Sequence, residues 1–215
     1  MQLFALYWPQ AVRTPIELFV MAHTIRMFVE RPLAINQPTA TDGAADISER
    51  LLAEFSEAGV TMEQVSGNQS FIDLLTHALA ATGREVPMKE GRSGSVPALS
   101  HKDDAMRSLL DDDNERVRTL ASLRLLIKSV PRLASDLEFL AQNAELSGGL
   151  GHFELDYCRQ VHGRFAGTGG FSMHSLPKPE RSPCPLASDA ASYVRRSIRA
   201  HEGKVLVACD ASQIE

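Results

Sequence analysis

Residues 205–215, Val-Leu-Val-Ala-Cys-Asp-Ala-Ser-Gln-Ile-Glu, are the stretch that decides the fold. A short apolar run with two β-branched valines predicts a buried β-strand, and Asp210 lies where that strand would end. Because hydrophobic burial holds such a strand rigidly, a carboxylate at its end is well placed to bind a divalent metal. The segment therefore predicts a sheet with a metal ligand at a strand end.

The composition is ordinary for a globular protein. Of 215 residues, 44% are hydrophobic and 23% are charged, so one large domain or two small ones can form. No apolar run approaches the roughly 20 residues that span a bilayer. The N-terminus lacks the basic start and the cleavage site of a signal peptide. These patterns predict a cytoplasmic protein with no membrane partner.

The cysteines Cys158, Cys184 and Cys209 are odd in number and show no C-x-x-C spacing. This pattern argues against a disulfide framework and against a structural zinc site. We expect all three to pack as small hydrophobic side chains.

The charge is distributed unevenly along the chain. The formal net charge is −5. Residues 157–209, in contrast, carry eight Lys and Arg against three Asp and Glu, a local net charge of +5. A positive region beside a candidate metal ligand favours a phosphate-rich partner, whose binding weakens with salt.

Helical spacing of apolar residues dominates the first two-thirds of the chain. We predict helices over residues 15–30, 46–58, 70–82 and 115–129. We expect Asp46 to cap the N-terminus of the second helix and Gly59 to end that helix. Residues 35–46 predict a loop, and the Gly-, Pro- and Ser-rich residues 83–100 predict an extended excursion or a hairpin.

From Gly148 onward the pattern changes to short strands and loops. Phe153, Leu155, Tyr157 and Val161 alternate with polar residues, as in a half-buried strand. We predict loops over residues 163–170 and 177–185, a short helix over 189–197 and a closing strand over 204–209. Helices followed by mixed elements predict an α+β fold.

Charged residues mark the longest predicted helix. Arg124, Lys128 and Arg132 follow one another at intervals of four and share one face. Two interpretations stay open: a solvated stripe, or a rail for a phosphate backbone. The run Asp111-Asp112-Asp113 precedes the helix and predicts an N-terminal cap, because acidic side chains are favoured there.

Two segments in order and spacing resemble the family A DNA polymerases of the bacterial polymerase I and phage type. Asp210-Ala-Ser-Gln-Ile-Glu215 resembles motif A of that family. Residues 162–177, beginning His-Gly-Arg and ending Leu-Pro, resemble the family stretch T-G-R-x-S-x-x-x-x-N-L-Q-N-L-P. Val194-Arg-Arg-Ser-Ile198 is similar to the element that leads into motif A, and Glu202-Gly203 to the turn before the strand.

The resemblance extends loosely upstream. Residues 24–33 are similar to the helix that joins the proofreading exonuclease domain to the thumb in phage-type members. Pro87-Met-Lys89, Asp113-x-x-Arg-Val117 and Lys128-Ser129 resemble thumb segments. The resemblance implies a linking helix over 1–34, a helical thumb over 35–147, and the N-terminal part of an antiparallel palm sheet over 148–215, cut after motif A.

The resemblance also implies roles for particular residues. Asp210 would be the catalytic residue and a ligand of Mg²⁺, in a site of two such ions, and the backbone carbonyl of Ala211 would serve the second ion. Ser212 and Gln213 would support the deoxynucleoside triphosphate, and Glu215 would pack under its sugar. The residues implied to contact primer-template DNA are Arg124, Lys128, Arg132, Arg164, His174 and Arg195.

The sequence departs from the family pattern in three places. His162 replaces the threonine before Gly-Arg, and His201 replaces the usual proline before the turn. Residues 172–175, Ser-Met-His-Ser, replace the N-L-Q-N block and lose both of its amides and its glutamine. His174 can still donate a hydrogen bond to minor-groove acceptors. These changes indicate a divergent member of the family.

The printed sequence stops at Glu215, before the family's nucleotide-binding helix and its second catalytic aspartate. We therefore expect no polymerase activity from this chain alone, and a second polypeptide could complete the palm and fingers. Two alternatives are a non-enzymatic module that binds primer-template DNA and a decayed remnant without function.

Overall fold

The computed structural model of the chain describes residues 15, 16, 18, 19, 22, 23, 26, 33–80, 82–91, 94–100, 102–151, 153, 155–156, 166–167 and 171–207. The chain divides into two units. The helical unit comprises residues 39–138 and 177–195, and the sheet unit comprises residues 1–38, 139–176 and 196–215. Segment 177–195, assigned to the palm by the resemblance, thus falls in the same unit as residues 39–138.

Helices build most of the helical unit. They are α1 (Gln37–Ala58), α2 (Met62–Ser66), α3 (Asn68–Ala80), α4 (Asp104–Ser108), α5 (Glu115–Ser147) and α6 (Pro185–Ser197). A short 3-10 turn, Leu109–Asp111, follows α4. Their apolar faces meet in one core, whose members include Ile47, Leu51, Phe55, Phe71, Leu75, Leu79, Met106, Val117, Leu120, Leu123, Ala187 and Ala190. This burial is the main favourable term holding the unit together.

Helix α1 starts nine residues earlier than predicted, since it begins at Gln37 and not at Asp46. The prediction of a loop over residues 35–46 is therefore wrong for residues 37–46, and it is also wrong for Ile35, which lies in a strand. Pro38 suits a first helical turn, where its missing N–H costs nothing. The predicted end is confirmed: α1 ends at Ala58, and Gly59 follows with a φ of 64°.

Small residues line the early part of α1 because another helix lies very close. Ala40, Gly43 and Ala44 are buried. A Cβ at position 43 would lie 2.7 Å from Cγ and 2.8 Å from Cδ1 of Tyr193 in α6. Carbon atoms do not approach so closely, so only glycine fits beneath the Tyr193 ring.

Replacing Gly43 with alanine should therefore destabilise the protein. We expect Gly43→Ala to lower the free energy of unfolding by about 1–3 kcal/mol, the usual cost of overpacking. The double variant Gly43→Ala/Tyr193→Leu, which removes the ring, should recover most of that loss in urea denaturation. A stabilised Gly43→Ala variant would show that alanine's better helix propensity outweighs the contact.

Helix α2 was not predicted from the sequence, and α3 begins and ends two residues before the predicted helix over residues 70–82. Thr61 Oγ1 accepts a hydrogen bond from Gln64 N (3.2 Å), and Gln64 Oε1 accepts one from Thr61 N (2.8 Å), a reciprocal cap that fixes the start of α2. In α3, Phe71, Leu75 and Leu79 are buried, in agreement with the helical spacing of apolar residues that predicted this helix.

Residues 83–100 contain a β-hairpin, as predicted. Strand β2 (Met88–Gly91) pairs antiparallel with β3 (Gly94–Pro97). The register places Lys89 opposite Val96. The hairpin is tied back to the chain by a hydrogen bond from Ala98 N to Pro87 O.

Helix α5 is much longer than predicted. It runs from Glu115 through Pro131 to Ser147, where the sequence predicted an end near Ser129. A proline inside a helix costs about 3 kcal/mol. Burial after the proline offsets this cost, because four further residues on one face are almost inaccessible to solvent: Ala134, Leu137, Leu140 and Ala144.

The end of α5 shows why Gly148 and Gly149 follow it. Their φ angles are 67° and 86°, and Gly149 N donates to Ala144 O at 2.7 Å. This six-to-one bond is the Schellman closure of a helix, which needs a residue in the left-handed region. The glycines at which the sequence pattern changes therefore form the C-terminal cap of α5.

The predicted cap of α5 by the Asp triplet is only partly right. Asn114 Oδ1 accepts a hydrogen bond from Arg116 N (2.9 Å) and supplies the cap. Asp112 is buried and forms two hydrogen bonds with Arg84, at 2.6 and 2.7 Å. Asp112 also accepts from Asn114 N. It is therefore an ion-pair anchor between the loop after α3 and the start of α5.

This ion pair makes stability depend on pH. The pKa of Asp112 lies below its ordinary value of 3.8. The hydrogen bonds from Arg84 are the largest cause, and the hydrogen bond from Asn114 N is the second. The carboxylate therefore stabilises the folded state above that value, and the contribution is lost as pH falls through the lowered pKa.

We expect Asp112→Asn to unfold at lower urea concentration than the wild type at pH 7, with the difference shrinking towards pH 3. The exposed neighbour Asp111→Asn is the matched control and should show a smaller effect at every pH. A wild-type advantage that persists undiminished at pH 3 would contradict the role of the ionised pair.

Three strands form the centre of the sheet unit. Strand β1 (Leu33–Ile35) pairs antiparallel with both β4 (Leu150–Gly151) and β7 (Ile198–Arg199). Beside them, β5 (Leu155–Asp156) pairs with β6 (Ala166–Gly167). Two 3-10 turns, Met173–Ser175 and Pro179–Arg181, also occur in the part of the chain that follows β6. Helices with small antiparallel sheets confirm the predicted α+β fold.

Phe171 anchors the described core of the sheet unit. It is buried, and its ring centroid lies 5.6 Å from Phe139 and 5.5 Å from Phe153. Such pairs add to the stabilisation that burial alone provides. Phe171 therefore joins the last part of α5 to the chain beyond β4.

The predicted closing strand is not formed where it can be checked. Residues 204–207 are not in a strand, and Val205, Leu206 and Val207 are 82%, 56% and 77% exposed. An extended segment is stabilised by pairing with a neighbouring strand, and no described strand pairs with it. The prediction of a buried strand is therefore wrong for residues 204–207, and residues 208–209 lie outside the described part.

The described residues at the N-terminus agree with the predicted helix over 15–30. Residues 15, 16, 18, 19, 22, 23 and 26 are helical, and the rings of Phe19 and His23 stack with centroids 5.6 Å apart. Within the described part of the chain, no helix is both long enough and apolar enough to span a bilayer.

Candidate nucleic-acid interface

A basic groove opens on the helical unit. It has a volume of about 380 Å³ and is lined by Asn68, Lys89, Pro97, Leu99, Ser100, Arg124, Leu125 and Lys128. We call this set of residues the basic groove. Helix α5 supplies Arg124, Leu125 and Lys128, the hairpin supplies Lys89, and the start of α3 supplies Asn68. Two residues predicted from sequence to contact DNA thus share one cavity.

Arg124 forms the floor of the groove and is only 2% exposed. Its Nη1 donates to the carbonyls of Val65, Ser66 (2.8 Å) and Gly67 (3.3 Å), and its Nη2 donates to Oδ1 of Asn68. The last carbonyls of a helix have no partner within it and carry partial negative charge. Arg124 therefore satisfies the C-terminal end of α2 with a full positive charge.

The burial of Arg124 corrects the sequence prediction. Spacing of four placed Arg124, Lys128 and Arg132 on one exposed stripe, and this placement is wrong for Arg124. Its guanidinium lies over the Phe71 ring, with Cζ 4.9 Å from the centroid, and four protein oxygens occupy its terminal nitrogens. Burial lowers the pKa of Arg124 from its ordinary value. It contributes positive potential, while each of its two terminal nitrogens already donates to protein oxygens.

Lys128 lies one turn further along α5 and is exposed. Its Nζ donates to Ser66 O at 2.9 Å, which holds the ammonium group at the groove. Desolvation, and then the nearby charge of Arg124, lower the pKa of Lys128. An ammonium group has three donors, so a second ligand can be bound without breaking this bond.

Lys89 is the third cation of the groove, and the sequence identified it only within a resemblance to a thumb segment. Its Nζ lies 2.9 Å from Oδ1 and 2.8 Å from Oδ2 of Asp103. Asp103 Oδ2 also accepts from Ser100 N at 2.9 Å. The hairpin register that brings Lys89 here involves residues far from α5 in sequence, so spacing along one helix gave no signal.

Arg132 and Arg195 are exposed and lie outside the groove lining. Arg132 lies one turn beyond Lys128 and near Asp136. Burial raises the pKa of Asp136, and the charge of Arg132 offsets part of that rise. Arg195 Nε donates to Pro177 O at 2.6 Å, which ties α6 to the chain before it. Both remain predicted DNA contacts.

The residues predicted for chemistry lie outside the described part of the chain. These are Arg164, Asp210, Ala211, Ser212, Gln213 and Glu215. For His174, only the backbone is described, in the turn Met173–Ser175. The carboxylate of Asp210 is the hard oxygen donor that Mg²⁺ prefers. Among the described residues, no group of three His, Cys, Asp or Glu side chains could hold a metal ion.

A second cavity of the helical unit has the opposite character. Its volume is about 480 Å³, and three glutamates, Glu54, Glu57 and Glu115, line it together with Ala58, Arg116 and Thr119. Arg116 Nη1 donates to Ala58 O at 2.7 Å, so this cation caps the end of α1. A polyanion is repelled here and attracted to the basic groove.

Comparison with known proteins adds no family assignment. No model of a known protein family matches the chain, and a search of curated proteins finds no match.

The structure predicts that Arg124 is needed for folding. Arg124→Lys should lower the free energy of unfolding by about 2–4 kcal/mol, because one ammonium group cannot reach all the oxygens that the guanidinium satisfies. Arg132→Lys, an exposed position on the same helix, is the matched control and should change stability by at most about 0.5 kcal/mol. Equal urea midpoints for both variants would contradict the capping role of Arg124.

Proposed function

We propose that this chain binds the phosphate backbone of primer-template DNA through the basic groove. The observation that carries the proposal is the convergence of Lys89, Arg124 and Lys128 on one cavity of about 380 Å³. Three cations within one concave site attract successive phosphates, and their counterions are released on binding. Another cavity of this unit, lined by three glutamates, has the opposite sign of charge.

The uncharged lining suits the same ligand. Asn68 and Ser100 offer side-chain hydrogen-bonding groups beside the cations, and Pro97, Leu99 and Leu125 provide an apolar wall. Sugar rings present both kinds of surface next to each phosphate. Groups of this kind fix the register of a backbone without reading its sequence.

The proposed cellular role is that of the thumb and part of the palm of a family A DNA polymerase in the cytoplasm. The resemblance of residues 162–177 and 210–215 supports this role. Asp210 would then be a Mg²⁺ ligand beside the growing strand, with Ser212, Gln213 and Glu215 at the nucleotide. Divalent ions at such a site activate the attacking oxygen and stabilise the leaving oxygen.

Lys128 provides the sharpest test of the groove. We expect Lys128→Gln to weaken binding of a fluorescein-labelled primer-template by about threefold, and to make the plot of log affinity against log salt shallower by about 1. Fluorescence anisotropy between 50 and 200 mM salt measures both quantities. Lys178→Gln removes the same charge from an exposed position outside the groove, and should leave the slope unchanged.

If Lys128→Gln and Lys178→Gln behave alike, the groove is not the DNA contact. A preference for primer-template over single-stranded DNA of equal length supports the thumb assignment, since a polymerase thumb grips duplex. Equal affinity for the two leaves only general attraction to nucleic acid.

A binding module without catalysis is the second candidate, because every lining residue of the groove lies within the helical unit. Because no extension is expected from this chain alone, primer extension separates the two candidates when it is measured with Mg²⁺, the four deoxynucleoside triphosphates and a polypeptide that completes the palm and fingers. Extension that Asp210→Asn abolishes supports the polymerase. Binding without extension, unaffected by Asp210→Asn, supports the module.

A further inference from the structure

One of the three cations in the basic groove already has an anionic partner. Lys89 Nζ lies within 2.9 Å of both carboxylate oxygens of Asp103. Arg124 and Lys128 differ in this respect, because their described hydrogen-bond acceptors are carbonyl and amide oxygens. A carboxylate cancels a full positive charge, whereas a carbonyl cancels only part of one.

Asp103 is held in place rather than loosely associated. Its side chain is 15% exposed, while that of Lys89 is 42% exposed. Ser100 N donates to Asp103 Oδ2 at 2.9 Å, and Ser100 itself lines the groove. The carboxylate therefore stays fixed, and Lys89 is the partner able to move away from it.

We propose that Asp103 attenuates the basic groove by occupying Lys89, so that only a polyanion able to replace the Asp103 carboxylate recruits the third cation. This inference rests on the proposed DNA-binding function and deepens it. Partly exposed ion pairs contribute little to stability, so exchanging one carboxylate for a phosphate at Lys89 costs little. The ligand class favoured is a chain of adjacent phosphates, which stays bound to Lys128 in the positive potential of Arg124 while Lys89 changes partner.

The attenuation has a signature that a purely structural ion pair lacks. If Asp103 only fixes the hairpin, its removal loosens β2 and β3 and cannot improve binding. If Asp103 competes with phosphate, its removal frees Lys89, adds one phosphate contact and steepens the salt dependence.

The test compares Asp103→Asn with Asp104→Asn. Asparagine keeps an oxygen that can accept from Ser100 N but loses the negative charge. Asp104 is the adjacent residue, its side chain is 92% exposed, and it pairs with Arg107 instead of Lys89. Both variants raise the net charge by one, so any difference between them reports on Lys89 and not on overall charge.

With labelled primer-template, we expect Asp103→Asn to bind about threefold tighter than Asp104→Asn, with a salt slope steeper by about 1. Lys89→Gln should have little effect in the wild-type background and should abolish the gain in the Asp103→Asn background. That coupling between the two substitutions identifies the pair. Circular dichroism melting checks that each variant is folded.

Equal affinity of Asp103→Asn and Asp104→Asn, with wild-type binding intact, overturns the attenuation and leaves the proposed function standing. If no variant binds DNA, the proposed function fails, and calorimetric titration with inorganic tripolyphosphate decides on Asp103. Tighter binding of that polyanion by Asp103→Asn than by Asp104→Asn supports the attenuation. Equal binding overturns it.

Discussion

The guanidinium of Arg124, buried against the end of α2, is the interaction on which the helical unit depends. Three consecutive carbonyls, from Val65 to Gly67, point at one side chain of α5. Removing those carbonyls from water without partners would cost several kcal/mol. Because no carboxylate is among the described hydrogen-bond partners of Arg124, partial charges at a helix end carry much of the compensation for burying it. The contact holds α2, α3 and α5 in one arrangement and forms the floor of the basic groove.

The same contact sets the electrostatics of the groove. Lys128 donates a hydrogen bond to Ser66 O, which also accepts one from Arg124, so two cations share one acceptor. Desolvation, and then repulsion from Arg124, lower the pKa of Lys128. The positive potential of the two cations makes an incoming anion favourable. Asp103 balances the third cation, Lys89. A folding requirement at α2 and a binding surface on α5 thus arise from one cluster of charges.

Sequence periodicity predicted the elements that depend on local signals. Three predictions were correct: apolar residues at helical spacing in α3 (Phe71, Leu75 and Leu79 are buried), the stop at Gly59, and a hairpin within residues 83–100. The start of α1 was missed, because Gly43 carries a weak helical signal and its burial depends on Tyr193 in a distant helix. The extension of α5 beyond Pro131 was missed because a proline usually ends a helix, and the burial that offsets its cost depends on tertiary packing. Spacing of four also placed Arg124 with its neighbours without revealing that it faces inward.

The proposed DNA contact and the proposed metal site rest on different kinds of support. The proposed DNA contact is supported by contacts among described residues. No single sequence pattern brought these residues together, and Lys89 in particular comes from a hairpin distant in sequence from α5. Asp210 rests on the resemblance of residues 210–215, and the apolar run before it is exposed where it is described. An apolar run specifies that a strand should be buried but not which strand pairs with it. DNA can therefore bind in the groove whether or not Asp210 completes a metal site, since no residue of the groove lies within residues 204–215.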